Sequence, residues 1–189
     1  MADQSDVSDR IIQLFQRKGD ATYGEHVTQT EHALQCAALA EAAGADSATV
    51  VAALLHDIGH LLDKRGEDAA ERGIDTRHEV LGAQWLERYF GTAVSEPVRW
   101  HVDAKRYLCA VESGYSEELS EASKLSLGLQ GGPFSVSEAS DFASRPYFQQ
   151  AVAVRRWDDA GKVEGLELRT VAAYREHMDT VLAGAHSAC

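Results

Sequence analysis

The sequence predicts an all-α bundle. Three observations carry this. Apolar residues recur at helical spacing in most segments, Ser/Thr-x-x-Glu capping boxes punctuate the chain, and no stretch alternates apolar with polar residues as a half-buried strand would. The 189 residues suit one domain with a sizeable core, over 1–189 with its centre between about 10 and 175.

Val7, Ile11, Leu14 and Phe15 share one face and predict an N-terminal helix over 7–18. Residues 19–27 are polar and Gly-punctuated, hence a loop. A capping box at Thr28–Glu31 opens a helix to about Ala43, closed by Gly44, with His32 in its first turn. Asp46 or Ser47 caps the next helix, which runs into His56-Asp57-Ile58-Gly59-His60. Residues 61–75 are charged and aperiodic and predict a loop or lid. A second capping box, Thr76–Glu79, opens a helix through Phe90 with His78 in its first turn. Ser95-Glu96-Pro97 starts another, which carries His101 and, one turn later, Lys105. Residues 117–129 read as one helix ending at Gly131-Gly132-Pro133. Ser135–Glu138 is a third capping box before a short helix. Pro146 starts a longer one that ends in Arg155-Arg156-Trp157-Asp158-Asp159, and 166–182 reads as the last helix.

Composition narrows the partners. A net charge of −12 lacks the clustered cations of a nucleic-acid surface, although a few local cations could still hold a small anion. No apolar run is long enough to span a bilayer, and no signal segment opens the chain. Cys36, Cys109 and Cys189 have no paired spacing, which points to a reducing, cytoplasmic setting.

The chemistry lies in the histidines. His32, His56, Asp57, His78, His101 and Asp158 each fall on a different predicted helix, except the central pair. Imidazole and carboxylate donors without thiolate suit iron, manganese, nickel or zinc. Six donors are too many for one ion with an open position. A carboxylate can bridge, so Asp57 can join two ions: His32, His56 and Asp158 on one, His78 and His101 on the other. His60 lies one turn past His56 and can face the same cavity, Lys105 one turn past His101, and Arg155 three residues before Asp158. These three suit a dianionic group, with Ser123 and Ser126 as hydroxyl donors. Tyr107, Phe134 and Trp157 are either core or an aromatic cage for an ammonium.

The ordered set His32, His56-Asp57 and Asp158, with His78 and His101 between, resembles the two-metal members of the HD-domain superfamily. Tyr23-Gly24-Glu25-His26-Val27-Thr28-Gln29, the HDIGH segment, His101 with Lys105, Leu129-Gln130-Gly131-Gly132-Pro133 and Arg155 to Asp159 are similar to the phosphonate-cleaving HD-domain oxygenases. That resemblance implies an HD-domain helical bundle holding two iron ions in a mixed-valent Fe(II)/Fe(III) pair. It also implies O₂-dependent cleavage of the C–P bond of a small organophosphonate. Its catalytic residues would be Tyr23, Glu25, His60 and Lys105, and its substrate contacts those four with Ser123, Ser126 and Arg155. Tyr23 would gate one iron, with Glu25 bonded to its hydroxyl. The Tyr23-Gly24-Glu25 segment is one residue shorter than in aminoethyl-specific members, which leaves room for three methyl groups. The expected substrate is therefore (R)-1-hydroxy-2-(trimethylamino)ethylphosphonate, giving glycine betaine and phosphate. The alternatives are the 2-amino-1-hydroxyethyl compound giving glycine, a metal-dependent HD phosphohydrolase, a ligand-sensing module and a polyol oxygenase.

Overall fold

The computed structural model describes residues 4–22, 25–63 and 72–187. Among these every regular element is helical and no strand occurs. The α-helices are α1 (Gln4–Lys18), α2 (Gln29–Ala42), α3 (Ser47–Leu55), α4 (Ile58–Leu62), α5 (His78–Phe90), α6 (Thr92–Val111), α7 (Tyr115–Glu118), α8 (Glu121–Leu129), α9 (Val136–Ala143), α10 (Phe148–Ala160) and α11 (Arg175–Ser187). A 3₁₀ turn, Val171–Tyr174, precedes α11.

The short helix α3 is the axis of the bundle. Val50, Val51, Ala52, Ala53, Leu54 and Leu55 are all buried, so it is apolar on every side. Helices α2, α6, α10 and α11 surround it. The small residues Ala33, Cys36, Ala37 and Ala40 on α2 are fully buried and let that backbone come close. Further out, α1 lies on α11, where the Ser8 hydroxyl donates to Asp179 at 2.7 Å. Lys18 Nζ donates to the Leu61 carbonyl at 2.7 Å, tying α1 to the end of α4.

The caps at Thr28 and Ser135 form as the sequence predicts, each with its reciprocal Glu bond, and Asp46 caps α3. Five expectations change. The box at Thr76–Glu79 does not form: the cap residue is Arg77, in the left-handed region, and its N–H goes to Asp75. Glu79 instead turns its carboxylate towards the His78 ring, 3.7 Å away. Helix α6 starts at Thr92, because Gly91 (φ 69°) ends α5 and opens α6 in one residue, so Pro97 lies inside the helix. Residues 117–129 are broken at Leu119–Ser120, where Leu119 is buried and Ser120 caps α8. The last helix is α11, and 161–170 is irregular. Pro146 precedes the left-handed Tyr147, and α10 begins at Phe148.

Gly59 decides how α4 meets α5. A Cβ built there would sit 1.9 Å from the carbonyl oxygen of His78, and one on Gly82 would sit 3.2 Å from the Gly59 nitrogen. The two backbones therefore touch, and the His60 and His78 rings stack with centroids 4.0 Å apart. In an open helix Gly→Ala stabilises by about 1 kcal/mol. Here the sign should reverse, because the clash is with backbone. Gly59→Ala is expected to lower the unfolding free energy by about 1–3 kcal/mol and to reduce bound metal, as read by denaturant melts and metal analysis. A more stable, fully loaded variant would remove this account of the crossing.

Candidate metal centre and active site

His56 ends α3 as its C-terminal cap, and Asp57 (φ −100°, ψ 9°) occupies the turn before α4. The central pair thus sits on a helix break, which frees Asp57 to stand between neighbouring helices. His32 arrives from the first turn of α2, His78 from the start of α5, His101 from mid-α6 and Asp158 from the last turn of α10. The structure brings all six together.

They form two lobes about one carboxylate. Asp57 Oδ2 lies 3.8 Å from His32 Nε2 and 3.6 Å from His56 Nε2. Asp158 Oδ1 joins that lobe at 3.3 and 3.9 Å from the same nitrogens. Asp57 Oδ1 lies 3.2 Å from His78 Nε2 and 3.6 Å from His101 Nε2. Donors about 2.0–2.2 Å from one ion stand about 3.0–3.5 Å apart at right or tetrahedral angles. The observed spacings fall within a few tenths of an ångström of that range.

The outer hydrogen bonds strengthen the fit. Nδ1–H of His32 donates to the Gly161 carbonyl at 2.8 Å, that of His56 to Ala53 at 2.9 Å, and that of His101 to Val98 at 2.7 Å. A carbonyl can only accept, so each neutral ring keeps its proton on Nδ1 and turns a bare lone pair inward. The Nε2 atoms of His32 and His56 lie 3.1 Å apart, and those of His78 and His101 3.2 Å apart. Two such nitrogens attract only with a proton or a metal ion between them. The donor set fits a metal cofactor. Cys36 does not belong to it: its Sγ–H donates to the Trp157 carbonyl at 3.4 Å, and burial pushes its thiol pKa up.

The lobes open on a cavity of about 330 Å³. Glu25, His60, Lys105, Ser123, Ser126 and Arg155, the expected substrate contacts among the described residues, line it. Lys105 donates to Ser126 Oγ at 2.8 Å and more weakly to the Ser123 carbonyl, which leaves one N–H for a ligand. Burial and then the nearby Arg155 charge push the Lys105 pKa down to about 7. Arg155 is more committed: NH1 donates to Asp158 Oδ2 at 2.6 Å, Nε to Tyr115, and NH2 to Asp159. Burial would raise the Asp158 pKa, but Arg155 and Lys162 outweigh it and hold the group well below the usual carboxylate range. Asp57 is likewise held down, the charges of His56 and His78 outweighing its burial.

Tyr23, the expected gate, lies outside the described residues. The aromatic cage is not there. Tyr107 and Phe134 pack with Phe142 beside a separate shallow cavity, and Trp157 packs on the main core. Sequence reasoning missed Lys162, Gln29 and Gln130, all on the cavity wall. Lys162 was detectable: it lies at i+4 from Asp158, and its Nζ is 3.6 Å from Asp158 Oδ1. Gln29 and Gln130 stand in the segments that carry the family resemblance, but neither was given a role.

The model of the HD domain family matches residues 30–129, which include His32, His56, Asp57, His78 and His101. The hydroxymethylphosphonate dioxygenase of Gimesia maris is 44% identical over 91% of this chain and 86% of its own. The chain belongs to the HD-domain phosphonate-cleaving oxygenases. A second relative within this family, the [1-hydroxy-2-(trimethylamino)ethyl]phosphonate dioxygenase (glycine-betaine-forming) of Leisingera caerulea, is 46% identical over 82% of the chain and 79% of its own. Uncharacterized protein L432 of Acanthamoeba polyphaga mimivirus is 34% identical over 89% of this HD oxygenase. No helix among its described residues is long and apolar enough to cross a membrane.

The two lobes make separable predictions. Wild-type protein should carry two metal ions per chain by elemental analysis. His78→Ala should keep one, and Asp57→Ala, which removes the shared carboxylate, should keep fewer than His78→Ala. Equal occupancy in all three proteins would dismiss the bridged arrangement.

Proposed function

We propose that this protein uses O₂ to cleave the C–P bond of a short 1-hydroxyphosphonate, releasing phosphate and a carboxylic acid. One observation carries the reading: a two-lobed His/Asp cluster and Lys105, which has a free donor, face the same small cavity. The names of the two relatives support it. The reaction balances without another reductant: C1 gives up one C–H bond and its bond to phosphorus, and both oxygen atoms of O₂ end in the products.

His32, His56 and Asp158 would hold one iron, His78 and His101 the other, with Asp57 across both and the pair mixed-valent. When bound, the irons supply O₂ activation and Lewis acidity. The protein's own groups do the rest. Lys105 gives the phosphonate a buried cation. Ser126 and the Ser123 carbonyl hold that ammonium in place. Arg155 orients Asp158 and adds positive charge to the same wall. His60, stacked on His78, closes the floor, and burial followed by the His78 charge pushes its pKa down to about 3, so it serves as a neutral imidazole.

The pocket favours a small substrate such as hydroxymethylphosphonate, which gives formate and phosphate. No Phe, Tyr or Trp lines its described wall. Of its outer carboxylates, Glu25 is bound to Lys162, Asp75 accepts the Arg77 N–H, and Glu121 is exposed beside Lys124. The trimethylammonio compound is the second reading. The Leisingera caerulea relative favours it, as does the overall charge of −12, which draws cations at long range.

Iron-loaded protein should release phosphate from 1-hydroxyphosphonates with one O₂ consumed per phosphate. Phosphate without O₂ uptake would assign it to the hydrolases instead.

Lys105 predicts a pH dependence. Its pKa is lowered to about 7 in the empty pocket, so above that pH binding a dianion must first restore the proton. The dissociation constant for hydroxymethylphosphonate under anoxia should rise about tenfold per pH unit above about pH 7, until the pKa of the bound state is reached. Lys105→Arg, charged throughout, should flatten that slope, and an unchanged slope would place the controlling group elsewhere.

A further inference from the structure

Lys162 stands just beyond α10 on the cavity wall, where its Nζ also donates to the Ser123 hydroxyl at 3.3 Å, and no role in substrate recognition has been given to it above. Its Nζ donates to Glu25 Oε1 at 2.7 Å, and the Ser120 hydroxyl donates to the same oxygen at 2.8 Å. Both side chains are largely buried, at 16% and 17% exposure for Lys162 and Glu25. A partly buried pair of this kind holds its geometry far better than a surface pair, because losing either partner leaves an uncompensated charge. Lys162 also approaches Asp158 Oδ1 at 3.6 Å, so it is held from both sides.

The pair changes what the pocket can recognise. A carboxylate on the wall of a phosphonate pocket is the natural partner for an ammonium at the far end of the substrate. Here that carboxylate already has its cation. The protein fills with its own side chain the place that a substrate ammonium would otherwise take. Such a substrate would have to displace Lys162 or lie beside it, and like charges in a partly desolvated wall repel.

We infer that Lys162 is a specificity-determining positioning residue: by holding Glu25 it excludes substrates with a cationic C2 group and selects neutral ones. The inference rests on the oxygenase reading above and deepens it. It acts through Glu25, so the two positions should be coupled.

The test compares kcat/KM for hydroxymethylphosphonate and 2-amino-1-hydroxyethylphosphonate on iron-loaded protein. Dissociation constants for both are measured under anoxia. Wild type should favour the neutral compound in both measures. Lys162→Met should shift the preference towards the amine by on the order of tenfold or more, the worth of one charge-assisted hydrogen bond. The change should lie in KM and in affinity, not in kcat, because the contact exists before reaction. Lys162→Arg should keep the wild-type preference. Lys162→Met/Glu25→Gln should lose the gain, because no carboxylate remains for the amine. A Lys162→Met protein with wild-type metal content and unchanged preference would overturn the inference, and so would a double variant that kept the gain. If Lys162→Met does not fold, wild type still decides, since tighter binding of the amine than of hydroxymethylphosphonate is incompatible with the proposed role. Turnover of neither compound, by contrast, would strike the oxygenase reading itself, and this inference would fall with it.

Discussion

Everything near the centre follows from one half-buried carboxylate with two occupied sides. Asp57 cannot lie on a continuous helix and still offer Oδ2 to His32 and His56 while offering Oδ1 to His78 and His101. The break between α3 and α4 is the geometric answer. It lets α3 stay apolar and buried from Val50 to Leu55 while its end turns polar. Around that end, three main-chain carbonyls fix three imidazole tautomers, so the inward lone pairs are set before any ion arrives. The arrangement is costly without a cation and stable with one, which ties the fold to its cofactor.

The protein is acidic overall and basic where it matters. Its charge of −12 is spread over the surface, while Lys105, Arg155 and Lys162 converge on one cavity. At contact range such local charges outweigh the distant field. The three are not equivalent. Arg155 spends its donors on Asp158 and Asp159, and Lys162 spends its charge on Glu25. Lys105 alone is held by neutral oxygens, and its burial and the nearby Arg155 charge make its proton the loosest.

Much of this was legible in the sequence, because both the capping boxes and the histidine spacing are local. Thr28–Glu31 and Ser135–Glu138 form as written, and His60, Lys105 and Arg155, each about one turn from a ligand, line the same cavity. What escaped was decided by tertiary contact. Thr76–Glu79 has the pattern of a cap, yet Asp75 takes the Arg77 N–H and Glu79 turns to the His78 ring. Ser120 breaks the predicted helix over 117–129, and its hydroxyl reaches a carboxylate far away in sequence, Glu25. Pro97 reads as a start signal, but Gly91 had already begun the helix. Tyr107 and Phe134 have the chemistry of a cage and sit against Phe142 instead. Lys162 lies past the predicted end of α10, where attention to periodicity stops.

The contact between Gly59 and the His78 carbonyl has a consequence for the chain as a whole. Backbone touching backbone registers α4 against α5, apart from the connector that joins them in sequence. A single cut in that connector would leave His32, His56, Asp57 and His60 on one piece and His78, His101 and Asp158 on the other. Each piece would then carry an incomplete ligand set, and the metal pair would serve as the clasp that joins them.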